Sequence, residues 1–378
     1  MSATIQLIAI TKFGLEKIVR RELSDLGFEQ LQVMPGQVRF AATVNDIPKA
    51  NIWLRCADRV LLTIGEFRAT TFDDLFEQTK ALPWEQWITA DGKFTVNGKS
   101  VRSTLRSVRS CQSIVKKAVV ERLKTAYELD WFAETGANFT IQVSLLNDKA
   151  LLTLDTSGAG LHKRGYRAEA GEAPLKETLA AGLVQLSFWN KDRLLLDPMC
   201  GSGTILIEAA MRARNMAPGL KRPLAAEKWP SISPETWTTA RAEAKTAVRH
   251  NLNLRIFGHD IDGQTLAIAK QNAAKAGVNQ DIVFTQQDIK KLWIDQSHGI
   301  VITNPPYGVR LAEFQSLNQI YIALNKMFRK KKGWSLYLLT ADDKFPRYFK
   351  RAKPNRVRKL YNGNIQANYY QYYGERPK

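Results

Sequence analysis

Leu194-Leu195-Leu196-Asp197-Pro198-Met199-Cys200-Gly201-Ser202-Gly203-Thr204 joins an apolar strand signal to a glycine turn, and Ile205-Leu206-Ile207-Glu208-Ala209-Ala210 continues it as the start of a helix. A strand that passes through glycines straight into a helix is the repeating unit of an open α/β sheet. The turn brings bare backbone N–H groups up to a ligand at the helix N-terminus. A dinucleotide fingerprint would want a third glycine where Leu206 stands, and the lysine of a phosphate-binding loop is lacking, so pyrophosphate is disfavoured. An acidic residue at the strand end, Asp197, suits a ligand with a positive amino or sulfonium group, met directly or through water. S-adenosylmethionine is such a ligand. On this reading Gly201 and Gly203 let the ligand lie against bare backbone, while Cys200, inside the loop, is a small half-buried residue rather than a nucleophile.

Further polar groups are expected at successive strand ends of such a sheet. Arg255-Ile256-Phe257-Gly258 reads as the next strand and runs into His259-Asp260-Ile261-Asp262. Asp260, first after the strand, is expected to take both ribose hydroxyls, whereas Asp262 fits a helix N-cap equally well. Ile282-Val283-Phe284 is followed by Gln286-Gln287-Asp288, and Asp288 is placed to accept from an adenine amine. A fourth strand, Gly299-Ile300-Val301-Ile302-Thr303, stops at Asn304-Pro305-Pro306-Tyr307. Neither proline carries an N–H, so the carbonyls of this loop are open to donors from outside the fold. A nucleobase with an exocyclic NH2 fits: the Asn304 side-chain carbonyl takes one hydrogen, the Pro305 backbone carbonyl the other, and the Tyr307 ring stacks on the base.

With these residues the chain resembles class I S-adenosylmethionine-dependent methyltransferases. Within them it is similar to the group that carries a THUMP domain and modifies RNA, including bacterial enzymes that methylate N2 of a guanine in large-subunit ribosomal RNA. The likeness also covers Gly14-Leu15-Glu16 with Glu22-Leu23, Leu161-His162-Lys163-Arg164-Gly165-Tyr166-Arg167, Ala173-Pro174-Leu175-Lys176-Glu177-Thr178-Leu179-Ala180-Ala181, Asn215-Met216-Ala217-Pro218-Gly219 and Asn362-Gly363-Asn364. The resemblance implies a Rossmann-like domain with a mainly parallel sheet, preceded by α+β ferredoxin-like and THUMP domains, with segments at 1–65, 66–160 and 161–378. It also implies a cofactor pocket at Asp197, Met199, Cys200, Gly201, Ser202, Gly203, Thr204, Asp260, Ile261, Asp288 and Asn304, with catalysis by Asn304, Pro305, Pro306 and Tyr307. The implied substrate is RNA, as 23S rRNA or a large-subunit assembly intermediate. Relatives named adenine-specific DNA methylases share the Asn-Pro-Pro-Tyr string. Adenine N6 in RNA or DNA is therefore an alternative acceptor, and a non-catalytic RNA-binding assembly factor is the alternative from another class.

Composition agrees with a polyanionic partner. The 378 residues carry 55 Lys and Arg against 36 Asp and Glu, a formal net charge of +19. Lys326, Arg329, Lys330, Lys331 and Lys332 form one basic cluster. Lys344, Arg347, Lys350, Arg351, Lys353, Arg356, Arg358 and Lys359 form another, interleaved with Phe345, Tyr348 and Phe349, a spacing suited to phosphate contact and base stacking or, equally, to a solvated face. The apolar stretch Ile5–Ile10 is strand-sized, so neither a signal peptide nor a membrane span is expected, and the expected location is cytoplasmic. Three separated cysteines and four scattered histidines offer no metal cage and no disulfide framework.

Residues 1 to about 160 read as a different, α+β architecture. Strands are expected at Ile5–Thr11, Glu29–Met34, Gln37–Ala42 and Val60–Phe67, with helices at Gly14–Leu26 and Asp46–Leu54. A second segment has a helix at Phe72–Leu82, a strand at Lys93–Val96, a long basic helix at Val101–Lys124 and strands at Phe139–Leu145 and Ala150–Leu154. On that basic helix Arg102, Arg106, Arg109, Lys116 and Lys117 are the charged face. RNA contacts are assigned to Arg102, Arg106, Lys163, Arg164, Arg167, Lys350 and Arg351. The stretch between Asn215 and Thr239, rich in proline and carrying Trp229 and Trp237, reads as an insertion that either covers the cofactor or packs on the sheet.

Overall fold

The computed structural model describes residues 4–167, 175–306, 311–350 and 353–375, with the side chains of 311–316 left out. Two compact units emerge. The first is built on a seven-stranded sheet in the order β2-β3-β1-β4-β7-β6-β5, from β1 (Ile5–Thr11), β2 (Gln32–Met34), β3 (Gln37–Ala42), β4 (Ala57–Arg68), β5 (Lys93–Val101), β6 (Asn138–Leu146) and β7 (Lys149–Asp155). The helices of this half are α1 (Glu16–Asp25), α2 (Ile47–Trp53), α3 (Phe72–Lys80) and α4 (Val108–Tyr127). β4 is twelve residues long, sits between β1 and β7, and shifts register between Thr63 and Gly65. The seam expected at 65/66 thus falls inside a strand shared by both halves of the sheet.

The expected basic helix at Val101–Lys124 is corrected. β5 pairs in parallel with β6 as far as Val101↔Leu146, and α4 starts only at Val108, where the Ser107 side chain accepts from the Ser110 N–H as an N-cap. Arg102 and Arg106 therefore stand on the loop between strand and helix. A second correction concerns the proline-rich insertion, whose part Arg222–Glu243 packs within this first unit. Ala225 and Ala226 donate to Ser157 and Thr156, and Trp229 stacks on Phe139 at 5.1 Å with its indole N–H directed to the Asn138 carbonyl. A segment held to β6 and β7 by buried aromatic area covers no cofactor.

The second unit is the α/β one. Its helices are α5 (Glu177–Leu186), α6 (Thr204–Ala213), α7 (Pro234–Thr246, which begins in the first unit), α8 (Gly263–Ala276) and α9 (Leu311–Met327). Its strands are β8 (Leu195–Asp197), β9 (Ile256–Asp260), β10 (Ile282–Gln286), β11 (His298–Thr303), β12 (Gly333–Thr340), β13 (Arg356–Asn362) and β14 (Ile365–Tyr372), in the order β10-β9-β8-β11-β12-β14-β13. The first five are parallel and the last two antiparallel. β11 and β12 are apolar along their length and buried on both faces, as a covered parallel sheet requires. The order reverses between β8 and β11, so the crevice outside the carboxyl ends of these two strands is the topological switch point, where open sheets take ligands. Thr11–Val19 also packs in this unit, with Phe13 edge-on to Tyr361 at 6.0 Å.

Candidate functional site

Both motif loops leave the sheet at that switch point. β8 and β11 pair through Ile300↔Leu195 and Val301↔Leu196, which sets Asp197 beside the last residues of β11. Asp197 is buried, and its Oδ1 accepts from the Met199 N–H at 3.2 Å and from the Thr303 hydroxyl at 2.7 Å. Burial raises its pKa to about 7, against the two hydrogen bonds that lower it, and the Asp260 charge raises it further. A buried carboxylate poised there is stabilised as an anion by any cation brought next to it. Thr303 was not singled out by sequence reasoning; the available signal was a hydroxyl ending an otherwise apolar strand.

The turn after β8 splits its glycines between two tasks. Gly201 has φ +53, and a Cβ built on it meets nothing within 4 Å, so its face opens on free space. Gly203, at φ +79 the N-cap of α6, is different: a Cβ there would lie 3.2 Å from both Ala269 and Phe284. Its bare Cα serves the packing of α8 and β10 against the turn, which corrects the expectation that both glycines face the ligand. Cys200 is buried, its N–H donates to the His259 carbonyl, and burial pushes its thiol well above the usual range. A neutral, enclosed thiol is no nucleophile. Met199 and Ser202 are half-buried in the same turn.

At the end of β9, Asp260 is half-buried and draws the two loops together: Oδ2 accepts from the Gly201 N–H at 2.9 Å and Oδ1 from the Asp262 N–H at 3.0 Å. Each oxygen keeps a further lone pair for a hydroxyl. Asp262 caps α8 through the Gln264 N–H and the Thr265 hydroxyl, the structural alternative considered for it. Between them Ile261 leaves 66% of its surface exposed, an apolar side chain at the mouth of a polar turn. Asp288 is half-buried and accepts from the Lys290 N–H at the start of a short 3-10 turn.

Asn304 follows β11 directly. It is half-buried, and among the described residues its Oδ1 is buried without a hydrogen-bond donor. Such an orphaned acceptor costs about 1–3 kcal/mol, and a donor from a bound molecule would remove the cost. Pro305 is buried and Pro306 exposed. Tyr307 lies outside the described residues.

The basic residues assigned to RNA divide. Arg102 and Arg106 are exposed and line one open hollow with Ser100, Ser103, Thr104 and Asp148. Lys163 and Lys350 are exposed, and Arg351 lies outside the described residues. Arg164 is corrected: its guanidinium is buried against Glu208 of α6, with the Tyr166 hydroxyl on the same carboxylate, so it is a structural cation. Arg167 likewise turns inward, donating to the Leu175 carbonyl at 2.9 Å and the Thr204 hydroxyl at 3.2 Å, 3.5 Å from the Glu177 carboxylate. Thr204, buried at the first turn of α6, shares its hydroxyl with Ser202 at 3.3 Å. The chain of contacts from Arg167 to the cofactor loop was invisible in sequence.

Comparison with known proteins accords with this arrangement. Residues 164–371 match the family described as RMKL-like, methyltransferase domain; residues 6–61 match the RlmL ferredoxin-like domain and 69–155 the THUMP domain. The chain is 47% identical over 371 residues to a Bacillus subtilis protein with the provisional name RNA methyltransferase YpsC, covering 98% of this chain and 96% of that one. It is 38% identical over 340 residues to the ribosomal RNA large subunit methyltransferase K/L of Psychromonas ingrahamii, covering 88% of this chain and 45% of that protein. The chain thus spans about half the length of the K/L relatives it matches. A solved structure of a provisionally named methyltransferase, SMU.472, complexed with SAH superposes with a TM-score of 0.94 at 40% identity, covering all of both chains.

Proposed function

The chain belongs to the RMKL-like methyltransferase family, with ferredoxin-like and THUMP domains, and from that premise we propose that it methylates an exocyclic amino group of a base in RNA, N2 of a guanine in 23S rRNA, using S-adenosylmethionine. The observation that carries the reading is the orphaned Oδ1 of Asn304, at the switch point one residue beyond the Thr303–Asp197 hydrogen bond. The residues fit the cofactor: Asp197 is a buried carboxylate awaiting a cation, Gly201 leaves open space, and Asp260 has lone pairs to spare for ribose hydroxyls. When bound, the cofactor supplies an electrophilic methyl group on a sulfonium.

Asn304 Oδ1 and the Pro305 carbonyl accept the two hydrogens of the substrate NH2, which fixes the nitrogen lone pair away from the ring plane. The two acceptors then favour the positive charge that develops on that nitrogen. Orientation of this kind supplies as much as ~7–11 kcal/mol in favourable intramolecular cases. No strong base is needed before attack, because the methylated ammonium is itself acidic. A paired target base has to be flipped out or presented in an unstacked loop. The test is transfer of labelled methyl groups into deproteinised 23S rRNA, duplex DNA and no acceptor, followed by mass analysis of nucleosides. N2-methylguanosine is the expected product; N6-methyladenosine in either nucleic acid replaces the acceptor, and no transfer to any acceptor removes the enzyme reading.

Asp197 gives a pH dependence. Its folded pKa, about 7, stands above the unfolded carboxylate value of 3.8. In the ligand-free protein this group's contribution to stability is full below the unfolded value and is lost as pH rises through about 7. Cofactor binding has the opposite slope, because the cation needs the ionised form. Affinity is expected to rise by up to about tenfold per pH unit towards pH 7 and then level off, with proton release on binding below that point. Calorimetry in two buffers of different ionisation heat measures both; a flat profile would remove Asp197 from the cofactor's charge. Gly201→Ala should weaken cofactor binding about tenfold or more, since φ +53 costs a Cβ about 1–2 kcal/mol and the methyl enters the ligand's space. Unchanged affinity would put the cofactor elsewhere.

A further inference from the structure

The basic run after α9 stands at the opposite edge of the sheet from the site. β11 and β12 are parallel and in register from His298↔Gly333, so Trp293–Ser297 and Arg329–Lys332, which precede these strands, share the amino edge, while Asn304 follows the carboxyl edge. Six residues of strand separate the two edges by about 20 Å.

This edge has a defined shape. The Trp293 indole is 68% exposed, and Lys331 Nζ sits 5.7 Å over its ring. The flanking segments are pinned: the buried Trp334 indole donates to the Gln296 carbonyl at 2.8 Å, and Lys331 N–H closes a turn onto Phe328. Within that turn Lys330 takes a left-handed φ of +64, and Arg329 and Lys330 are both exposed. Exposed acids nearby are Asp295 and Glu375, fewer than the four cations of the run. A fixed aromatic face with a cation above it and further cations beside it matches a strand that presents phosphates and base faces alternately.

We propose that the amino edge of the methyltransferase sheet, through Trp293, Arg329, Lys330 and Lys331, is a second RNA-docking surface that holds a part of the substrate remote from the methylated base. The proposal rests on the reading of RNA as substrate and adds where a large RNA is gripped. At ~3.4 Å per stacked nucleotide, about six nucleotides are needed to span the two edges. The surface therefore selects extended or folded RNA over short fragments.

The test uses the full chain with deproteinised 23S rRNA, measured by filter binding between about 50 and 200 mM salt. Neutralising Arg329→Gln together with Lys330→Gln is expected to weaken binding about tenfold at the lower salt and to flatten the log–log salt slope by about 2, near 0.9 per lost phosphate contact. Trp293→Ala is expected to weaken binding several-fold with the slope unchanged, the signature of stacking. Cofactor affinity and thermal midpoint should stay at wild-type values in all variants, since these side chains are at the surface. An unchanged slope in the glutamine pair overturns the proposal and leaves this face to an acidic protein or to solvent. Failure of the wild type to bind the RNA is a different result, which overturns the substrate reading and the proposal with it.

Discussion

Asn304→Ala is expected to lower methyl transfer by about two to three orders of magnitude, the scale on which loss of one preorganised hydrogen-bonding group acts at a reacting centre. Cofactor affinity should be nearly unchanged. The reason lies in the orphaned Oδ1: among the described residues nothing in the fold satisfies it, so the side chain stabilises no neighbour and its removal should not loosen the strand that bears it. Its one task is to meet a donor that arrives from outside. Aspartate at this position keeps an acceptor and adds charge, so Asn304→Asp should retain more activity than alanine at a pH where the carboxylate is ionised. Calorimetry of cofactor binding beside a single-turnover transfer assay separates the steps. Equal loss in both would mean that the loop builds the cofactor pocket rather than the acceptor site.

Arg164→Ala should unfold the second unit more readily than any other single change among the basic residues discussed. The guanidinium and the Glu208 carboxylate are 1% and 0% exposed, and the Tyr166 hydroxyl donates to the same carboxylate oxygen at 3.2 Å. Removing one member of such a pair leaves a charge uncompensated in the interior, at a cost of about 3–5 kcal/mol. For a unit of this size that is a fall in thermal midpoint on the order of 10 °C. Arg164→Ala with Glu208→Leu should recover most of the loss, because replacing a buried pair by apolar groups is close to neutral. The alternative, that Arg164 contacts RNA, predicts weaker RNA binding at an unchanged midpoint, and differential scanning calorimetry with RNA titration decides between them.

The two motif loops were readable in sequence for a local reason. Glycine alone tolerates the φ of +53 and +79 seen at positions 201 and 203, proline alone removes two successive N–H groups after β11, and the apolar runs before them are too short for helices. The separation of Asp260 from Asp262 also followed from local order, since the first ends a strand and the second caps the next helix. The start of α4 was misread because Leu105 and Val108 keep a helical spacing through a stretch that parallel pairing with β6 holds extended to Val101. No residue in that window announces its partner, which lies some 45 positions away.

By itself the sequence determined the α/β unit, the strand ends that carry Asp197, Asp260 and Asn304, and the acidic and carbonyl chemistry expected there. Those features depend on what each residue type permits its own backbone to do. Only the tertiary structure decided which charges face solvent: Arg164 and Arg167 turned inward to Glu208, Glu177 and Thr204, the excursion Arg222–Glu243 packed with the first unit, and the cations at 329–332 stood at the edge away from the catalytic loop. Burial of a charge is settled by the partner that compensates it, and for Arg164 that partner is 44 residues further along the chain, where only the fold can bring it within reach.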